Sequence, residues 1–308
     1  NSREQKRIKK LNLLSEIASL YYEHDLTQSE IAEKFFLSRS RISRLLKQAR
    51  DKGIVEISVR QIGERSYELE QMLKRKFNLK DAIVLNTNNF DDQLVLTNMG
   101  ILAAKYLKSH IKPGQVIGIS WGRSIAAAIN AMESDKKLKP EVVQIIGGAL
   151  KQNPYIDITS LMHQMITKFN ATGVYLNAPL YVSSLEPCEN LKKQPVIAYA
   201  LEKARNADMI LSGIGDIAED TLNTLWSGYD NQAELDQIVA SGAMGFISAQ
   251  AFDIYGHEIQ TGFNQRVIGV TLNELKNAKM VVAVSGGKKK AGAVLGALRG
   301  KYAHVIVT

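Results

Sequence analysis

The sequence predicts two domains of different class: a small helical unit at the N-terminus, and a larger α/β unit on a mainly parallel sheet. Three observations predict this. Between residues 10 and 53, apolar positions recur at spacings of three and four between capping signals. From residue 81 onward, short apolar runs alternate with helical stretches, the texture of a parallel sheet covered by helices on both faces. Charge also divides the chain, because residues 1–60 hold 13 Lys or Arg against 8 Asp or Glu while the whole 308-residue chain has a net charge of only +8.

The small unit starts with a helix expected over Lys10–Tyr22, whose stripe is Leu13, Leu14, Ile17, Leu20 and Tyr21. Thr27 is a good N-cap for a second helix through Gln28–Lys34, and Glu30, three residues on, completes a capping box. Phe36 and Leu37 make the turn. Ser38 caps a third helix in which Ile42, Leu45, Leu46 and Ala49 share one face, leaving Arg39, Arg41, Ser43, Arg44, Lys47 and Arg50 on the other. After Gly53, IVEISV alternates apolar and polar residues like a short strand, which suggests a winged variant.

Two short helices with this turn and this basic outer face form a helix-turn-helix, which points to double-stranded DNA. In such a motif the start of the second helix meets base edges in the major groove. Arg39, Ser40, Arg41 and Arg44 are therefore the base-contact candidates, since arginine pairs in bidentate fashion with guanine. Gln28, Ser38, Ser43 and Lys47 are better placed for phosphates, which hold register without reading sequence. A basic amphipathic helix can also be a mere solvated face; here caps, turn length and apolar positions agree on the motif.

A connecting helix follows over Ile62–Phe77, with Leu69, Met72, Leu73 and Phe77 on one side. The organisation expected is 1–60 for DNA binding, 61–80 as connector, and 81–308 as a ligand-binding and oligomerisation domain. Strands are expected over Asp81–Asn86, Gln115–Ser120, Glu141–Ile146, Gly173–Val182, Asp208–Gly215, Met280–Gly287 and His304–Thr308. NMGILAAKYLKSHI and ITSLMHQMITKF are among the helical patterns between them.

In open α/β sheets the ligand crevice lies at the carboxyl ends of the strands. Three such ends read as anion cradles. In GISWGRSIAAA, Gly122, Arg123 and Ser124 open a helix whose free N–H groups can hold a phosphate. In IIGGAL, Gly147 and Gly148 allow close backbone approach. In VSGGKKKAGAVLGAL, a glycine turn leads to lysines at a helix start, where Lys290 can act as a point charge. Gly215 in SGIGDI joins this set, although a G-x-G without a third glycine is no dinucleotide fingerprint, and no Walker A motif occurs.

Cys188 stands alone, which rules out an intrachain disulfide, and it has no nearby His to make it a nucleophile. No charged-then-apolar leader is present and no apolar run approaches about 18 residues, so a cytoplasmic protein without a membrane span is expected. The five histidines offer no metal-ligand spacing, and no cofactor is expected. As acid/base groups for an enzyme, Asp216, Asp253, His257 and Glu258 are the candidates near the proposed loops, and the sequence places no pair of them together.

Taken in order, LYYEHDLTQSEIAEKFFLSRSRISRLLKQARDKGIVEI, ISWGRS, VVQIIGG, YLNAPLYV, SGIG, GAMGFISAQAFDIYGHEI, VIGVTLNEL and VSGGKKKAGAVLGALRGKYAHVIVT resemble the SorC family of bacterial sugar-responsive transcription regulators along nearly the whole chain. The resemblance implies an effector domain folded like sugar-phosphate isomerases, a homotetramer built as a dimer of dimers, and operator binding controlled by a phosphorylated sugar. It implies a phosphate cradle at Gly122, Arg123 and Ser124 with Lys290 in G-G-x-x-K, a sugar-lining carboxylate at Asp253, and an N-x-R segment at Asn264 and Arg266 of structural or ligand-contacting role. Arg123 stands where many relatives carry a small or hydroxylated residue. In one branch of the family a lysine before the paired glycines forms a Schiff base with an aldehyde effector; Ile146 occupies that place here, so noncovalent binding is expected. The reading is a non-catalytic regulator, a repressor of a sugar-utilisation operon; the alternative is an isomerase-like enzyme with an appended DNA-binding domain.

Overall fold

A computed structural model of the protein describes residues 2–55, 63–87, 90–149, 156–218, 222, 226 and 232–308. The chain divides into two compact units, Asn1–Gln61 and Ile62–Thr308.

The first unit holds α1 (Ser2–Tyr22), α2 (Gln28–Lys34) and α3 (Arg39–Asp51). Leu14, Ile17 and Ala18 of α1 bury against Ile31 and Ala32 of α2 and Ile42, Leu45, Leu46 and Ala49 of α3. Helix α1 begins well before Lys10 because the Glu, Gln, Lys and Arg residues ahead of it are good helix formers with no breaker among them; they lack an apolar stripe, so periodicity does not register them. The capping box forms as expected: Thr27 N–H donates to the Glu30 carboxylate at 2.8 Å, and Glu30 N–H to Thr27 Oγ1 at 3.3 Å. The Thr27 hydroxyl also donates to the Glu30 carboxylate, at 2.7 Å, and together with the Thr27 N–H it holds the Glu30 carboxyl below its usual pKa. Ile54 and Val55 pack against the cluster. The remainder of the expected wing strand, 56–59, lies outside the described residues.

In the second unit, α4 (Tyr67–Phe77) starts five residues later than expected and turns a different face inward. Leu73 and Phe77 pack on the core, but Leu69 and Met72 are exposed and the residue buried beside them is Glu70. Its carboxylate accepts both Arg65 Nε and Nη2, at 2.7 and 2.8 Å, and the Val84 N–H at 3.0 Å. Hydrophobic periodicity alone cannot find a carboxylate that is buried because it is fully bonded.

Seven strands form one parallel sheet in the order β1-β9-β8-β5-β2-β3-β4. They are β1 (Asp81–Ile83), β2 (Val116–Ile119), β3 (Glu141–Gln144), β4 (Thr172–Val174), β5 (Met209–Asp216), β8 (Val281–Val284) and β9 (Val305–Val307). Every residue of β8 and β9 is buried, so both faces of the sheet are covered there, as a parallel sheet requires. The expected strand over Gly173–Val182 is only the three residues of β4, and beyond it the chain makes single bridges, Gly148 with Pro179 and Tyr181 with Val267.

Two strands were not expected. β6 (Ala243–Ile247) pairs antiparallel with the last residues of β5, and β7 (Gln250–Asp253) pairs antiparallel with β6. Their connecting turn places Ser248 and Ala249 at φ 50° and 60°, positions that ordinarily go to Gly or Asn, so the usual hairpin signal is missing from the sequence.

Helices α5 (Asp92–His110), α6 (Arg123–Ala131), α7 (Ile158–Phe169), α8 (Leu185–Lys192), α9 (Pro195–Arg205), α10 (Gln232–Ala240), α11 (Leu272–Asn277) and α12 (Ala291–Arg299) fill the connections. ITSLMHQMITKF is α7, capped by Asp157, whose carboxylate accepts the Thr159 N–H at 2.9 Å.

Candidate functional site

In the first unit, Arg39, Ser40, Arg41, Ser43, Arg44 and Lys47 are all exposed on α3, opposite its buried stripe of Ile42, Leu45, Leu46 and Ala49. Gln28 is half-buried at the start of α2. Ser38 is the N-cap of α3: its hydroxyl accepts the Arg41 N–H at 3.3 Å and lies 3.1 Å from Ser40 Oγ. Arg44 Nε contacts the Ser40 carbonyl at 3.4 Å, so its guanidinium lies back along its own helix in the free protein. The face therefore presents cations from the first three turns of one helix, the arrangement that major-groove docking uses.

In the second unit, sheet order decides which loops meet. β2, β5 and β8 are adjacent, in the order β8-β5-β2, so the loops leaving their carboxyl ends are neighbours. From β2 the chain passes Ser120 and Trp121 to Gly122, the N-cap of α6 at φ 128°, a conformation that favours glycine. Arg123 is exposed and Ser124 half-buried at the first turn. From β8 it passes buried Ser285 to Gly287 at φ 99°, and the short turn Lys288–Lys290 leads into α12.

Lys290 reaches back from that turn over the middle strand. Its Nζ lies 3.4 Å from the Ile214 carbonyl oxygen, which also accepts Ser285 Oγ at 2.9 Å. Burial pulls the Lys290 ammonium below its usual pKa; the Asp216 carboxylate pulls it back up and the Arg123 guanidinium pushes it down. Arg123 and Asp216 thus both lie within electrostatic range of the lysine, and the loops after β2, β5 and β8 face one locus. A half-buried cation beside helical N–H groups can hold an anion, and a carboxylate at its edge suits hydroxyl donors.

Other expected members of the site lie elsewhere or are already engaged. Both backbone groups of Gly147 are used, its N–H on the Ile268 carbonyl at 2.8 Å and its carbonyl by Trp121 Nε1 at 3.2 Å. A Cβ on Gly147 would stand 2.2 Å from the Pro179 oxygen, so the close approach this glycine allows is between two chain segments. Gly148 donates to Ala178 O at 2.9 Å and accepts from Leu180 N at 2.8 Å. Gly215 sits in the part of β5 that pairs with Phe246 of β6.

Asp253 is engaged in its own turn. It ends β7, where its Oδ1 accepts the N–H groups of Tyr255 and His257 at 2.9 and 2.8 Å and its Oδ2 lies 3.3 Å from His257 Nδ1. Its backbone lies against Gly296, where a Cβ would come within 2.5 Å of the Asp253 oxygen. Asp253 is the closing carboxylate of a tight turn, and a turn-closing role explains an acid at this place as well as a sugar contact does.

The N-x-R segment is structural. Asn264, buried, bonds both backbone groups of Ala251, with its Nδ2 also on Glu258 at 3.1 Å. Arg266 bonds Glu234 at 2.6 Å and the Ser183 carbonyl at 2.8 Å, and its guanidinium lies 5.1 Å from the Tyr181 ring centre. Ile146, buried, lies in the core. The acid/base candidates His257 and Glu258 are thus tied into the turn and the Asn264 network. Ser120 is the residue sequence reasoning passed over: its hydroxyl is buried at the end of β2 with no partner among the described residues. A lone serine after an apolar strand carries no signal that could have found it.

Comparison with known proteins covers both units. Residues 63–308 match the Sugar-bind family model, a sugar-binding domain, and residues 15–52 match the model of Sigma-70, region 4. The chain is 29% identical over 307 residues to the sorbitol operon regulator of Klebsiella pneumoniae, covering 97% of this chain and 95% of that protein. It is 29% identical over 298 residues to the deoxyribonucleoside regulator of Bacillus subtilis (strain 168), again with 97% and 95% covered. The crystal structure of the full-length sorbitol operon regulator SorC from Klebsiella pneumoniae superposes with a TM-score of 0.72 at 27% identity, over 97% of this chain and 96% of that one.

Proposed function

The chain belongs to the SorC family of sugar-responsive transcription regulators, a DNA-binding regulator with a sugar-binding domain and not an enzyme, and from that premise we propose that it represses a sugar-utilisation operon and is controlled by a phosphorylated sugar or sugar alcohol. The observation that carries the effector class is Lys290, a half-buried cation directed at the Ile214 carbonyl and within electrostatic range of Arg123 at the opening of α6. The phosphate binds to the N–H groups at Gly122, Arg123 and Ser124 with Lys290 as counter-charge. Asp216 accepts from sugar hydroxyls. Gly147, Gly148 and Gly215 shape the floor through their backbone packing, and Asp253 acts only by holding its turn. Binding is noncovalent, because Ile146 cannot form an imine.

On the DNA, Arg39, Ser40, Arg41 and Arg44 read bases, and Gln28, Ser38, Ser43 and Lys47 hold phosphates. Two helix-turn-helix units of a homo-oligomer, a tetramer built as a dimer of dimers, engage half-sites of the operator in the cytoplasm. The effector changes operator affinity by no more than its differential affinity for the two subunit arrangements. Among the described residues no helix is long and apolar enough to cross a membrane.

Thermal stability against a panel of sugar and sugar-alcohol phosphates, each beside its unphosphorylated parent, tests the effector class. A ligand at about 100 times its Kd adds roughly 2.7 kcal/mol. Stabilisation by a phosphorylated member and not by its parent is the expected result, and stabilisation by parent sugars alone rejects the phosphate reading.

A further inference from the structure

Helix α4 leaves one face without a partner. Glu68, Leu69, Gln71, Met72, Arg75 and Lys76 are all exposed, Leu69 at 44% and Met72 at 52%, while Glu70, Leu73 and Phe77 hold the opposite side against the core. The exposed face has a direction. Its first turn carries Glu68 and Leu69, its centre Met72, and its last turn Arg75 and Lys76.

We propose that this face is an interface with a second copy of the same chain, formed by two α4 helices packed antiparallel about a twofold axis near Met72. The argument is charge complementarity. A twofold centred at Met72 sets Glu68 of one copy opposite Lys76 of the other and beside Arg75, and it lays Leu69 on the aliphatic stem of Arg75. Met72 meets Met72 at the axis. A parallel pairing would instead bring acids to acids and bases to bases, and the two helix dipoles would lie side by side pointing the same way, which is repulsive. The acid-first, base-last order is also what a lone helix prefers, but that preference does not account for the apolar pair exposed between the charges.

The eleven residues of α4 span about 16 Å at 1.5 Å per residue, so the helix pair alone covers less than the roughly 800 Å² per partner of a standard stable complex. The contact therefore joins subunits that another surface also holds, and losing it lowers the assembly by one step. The inference rests on the homo-oligomeric reading above.

Sedimentation equilibrium of the full-length protein tests it. Glu68→Lys and Met72→Glu are each expected to halve the mass at micromolar concentration or raise the dissociation constant of that step at least tenfold. The triple variant Glu68→Lys, Arg75→Glu, Lys76→Glu restores the charge pairing and with it the wild-type mass. Far-ultraviolet circular dichroism confirms that each variant is folded. A wild type that is monomeric throughout overturns the oligomeric reading and this interface with it. A wild-type oligomer whose mass is unchanged in Glu68→Lys and Met72→Glu overturns the interface alone, and failure of the triple variant to recover overturns the antiparallel pairing.

Discussion

Lys290 Nζ and the Ile214 carbonyl oxygen, 3.4 Å apart, tie the turn after β8 to the strand beside it, and the bond leaves the ammonium partly desolvated with Asp216 and Arg123 in range. Because burial lowers the Lys290 pKa in the free protein, a phosphate that settles beside it restores the charged form. Binding then takes up a proton wherever the free protein has begun to lose one. Effector affinity is therefore expected to fall as pH rises through the lowered pKa toward 10.5, the ordinary lysine value. Calorimetry at alkaline pH in two buffers of different ionisation enthalpy reads the proton directly. Lys290→Met, which keeps the aliphatic stem, should abolish the response to effector and leave DNA binding without effector intact; a variant with an undiminished response would remove Lys290 from the site.

The Arg65–Glu70 pair predicts a stability difference between two kinds of ion pair. Glu70 is 3% exposed at its side chain and its carboxylate takes three hydrogen bonds, so Glu70→Ala leaves Arg65 and the Val84 N–H without it. The expected loss is about 2–3 kcal/mol, below the 3–5 of a fully buried pair because Arg65 is about a third exposed. Lys108 and Glu133, whose side chains are 63% and 76% exposed, should show no measurable change on Glu133→Ala. Urea unfolding midpoints of the two variants make the comparison.

His304 predicts an acid limb. Its Nδ1 accepts the Val281 N–H at 3.0 Å, and burial, with the charge of Lys80 adding to it, lowers its pKa below 6.5 against a backbone hydrogen bond with Lys276 that raises it. Between the lowered value and 6.5 the unfolded chain binds more protons than the folded one. The contribution of His304 is therefore complete above pH 6.5 and is lost as pH falls through that window. His304→Asn, with an acceptor oxygen for the Val281 N–H, should flatten the pH dependence of the thermal midpoint below pH 6.5; an unchanged slope assigns the acid limb to other groups.

What was legible in the sequence depended on whether a feature was carried by periodicity and caps or by a partner far along the chain. Thr27, Ser38, Ile42 and Leu46 announce their helices locally, and the helix-turn-helix is correspondingly clear. Most parallel strands show as apolar runs because both faces are buried. Glu70 reads as a surface acid until Arg65 and the Val84 N–H close on it. The β6–β7 hairpin has no glycine in its two-residue turn. At the site, glycines at Gly122 and Gly147 look alike in sequence, yet one opens a helix at positive φ and the other is pressed against Pro179. The family resemblance offers Asp253 as a sugar contact, and the turn contacts that its carboxylate makes become visible only in the fold.

The α3 face separates two roles by measurement. If Arg41 reads a base and Lys47 holds a phosphate, their alanine variants should fail differently. Arg41→Ala is expected to cost about 1–3 kcal/mol on the operator and little on unrelated DNA, with discrimination relaxed at one base position. Lys47→Ala should weaken binding to both DNAs alike, and because one counterion fewer is released, the slope of log K against log salt should shrink by about 0.9. Fluorescence anisotropy over a salt series on operator and unrelated duplexes gives both quantities. Equal losses on both DNAs for Arg41→Ala would move it to the phosphate set, and base reading would then rest on Arg39 and on Arg44, which must leave its contact with the Ser40 carbonyl to reach the groove.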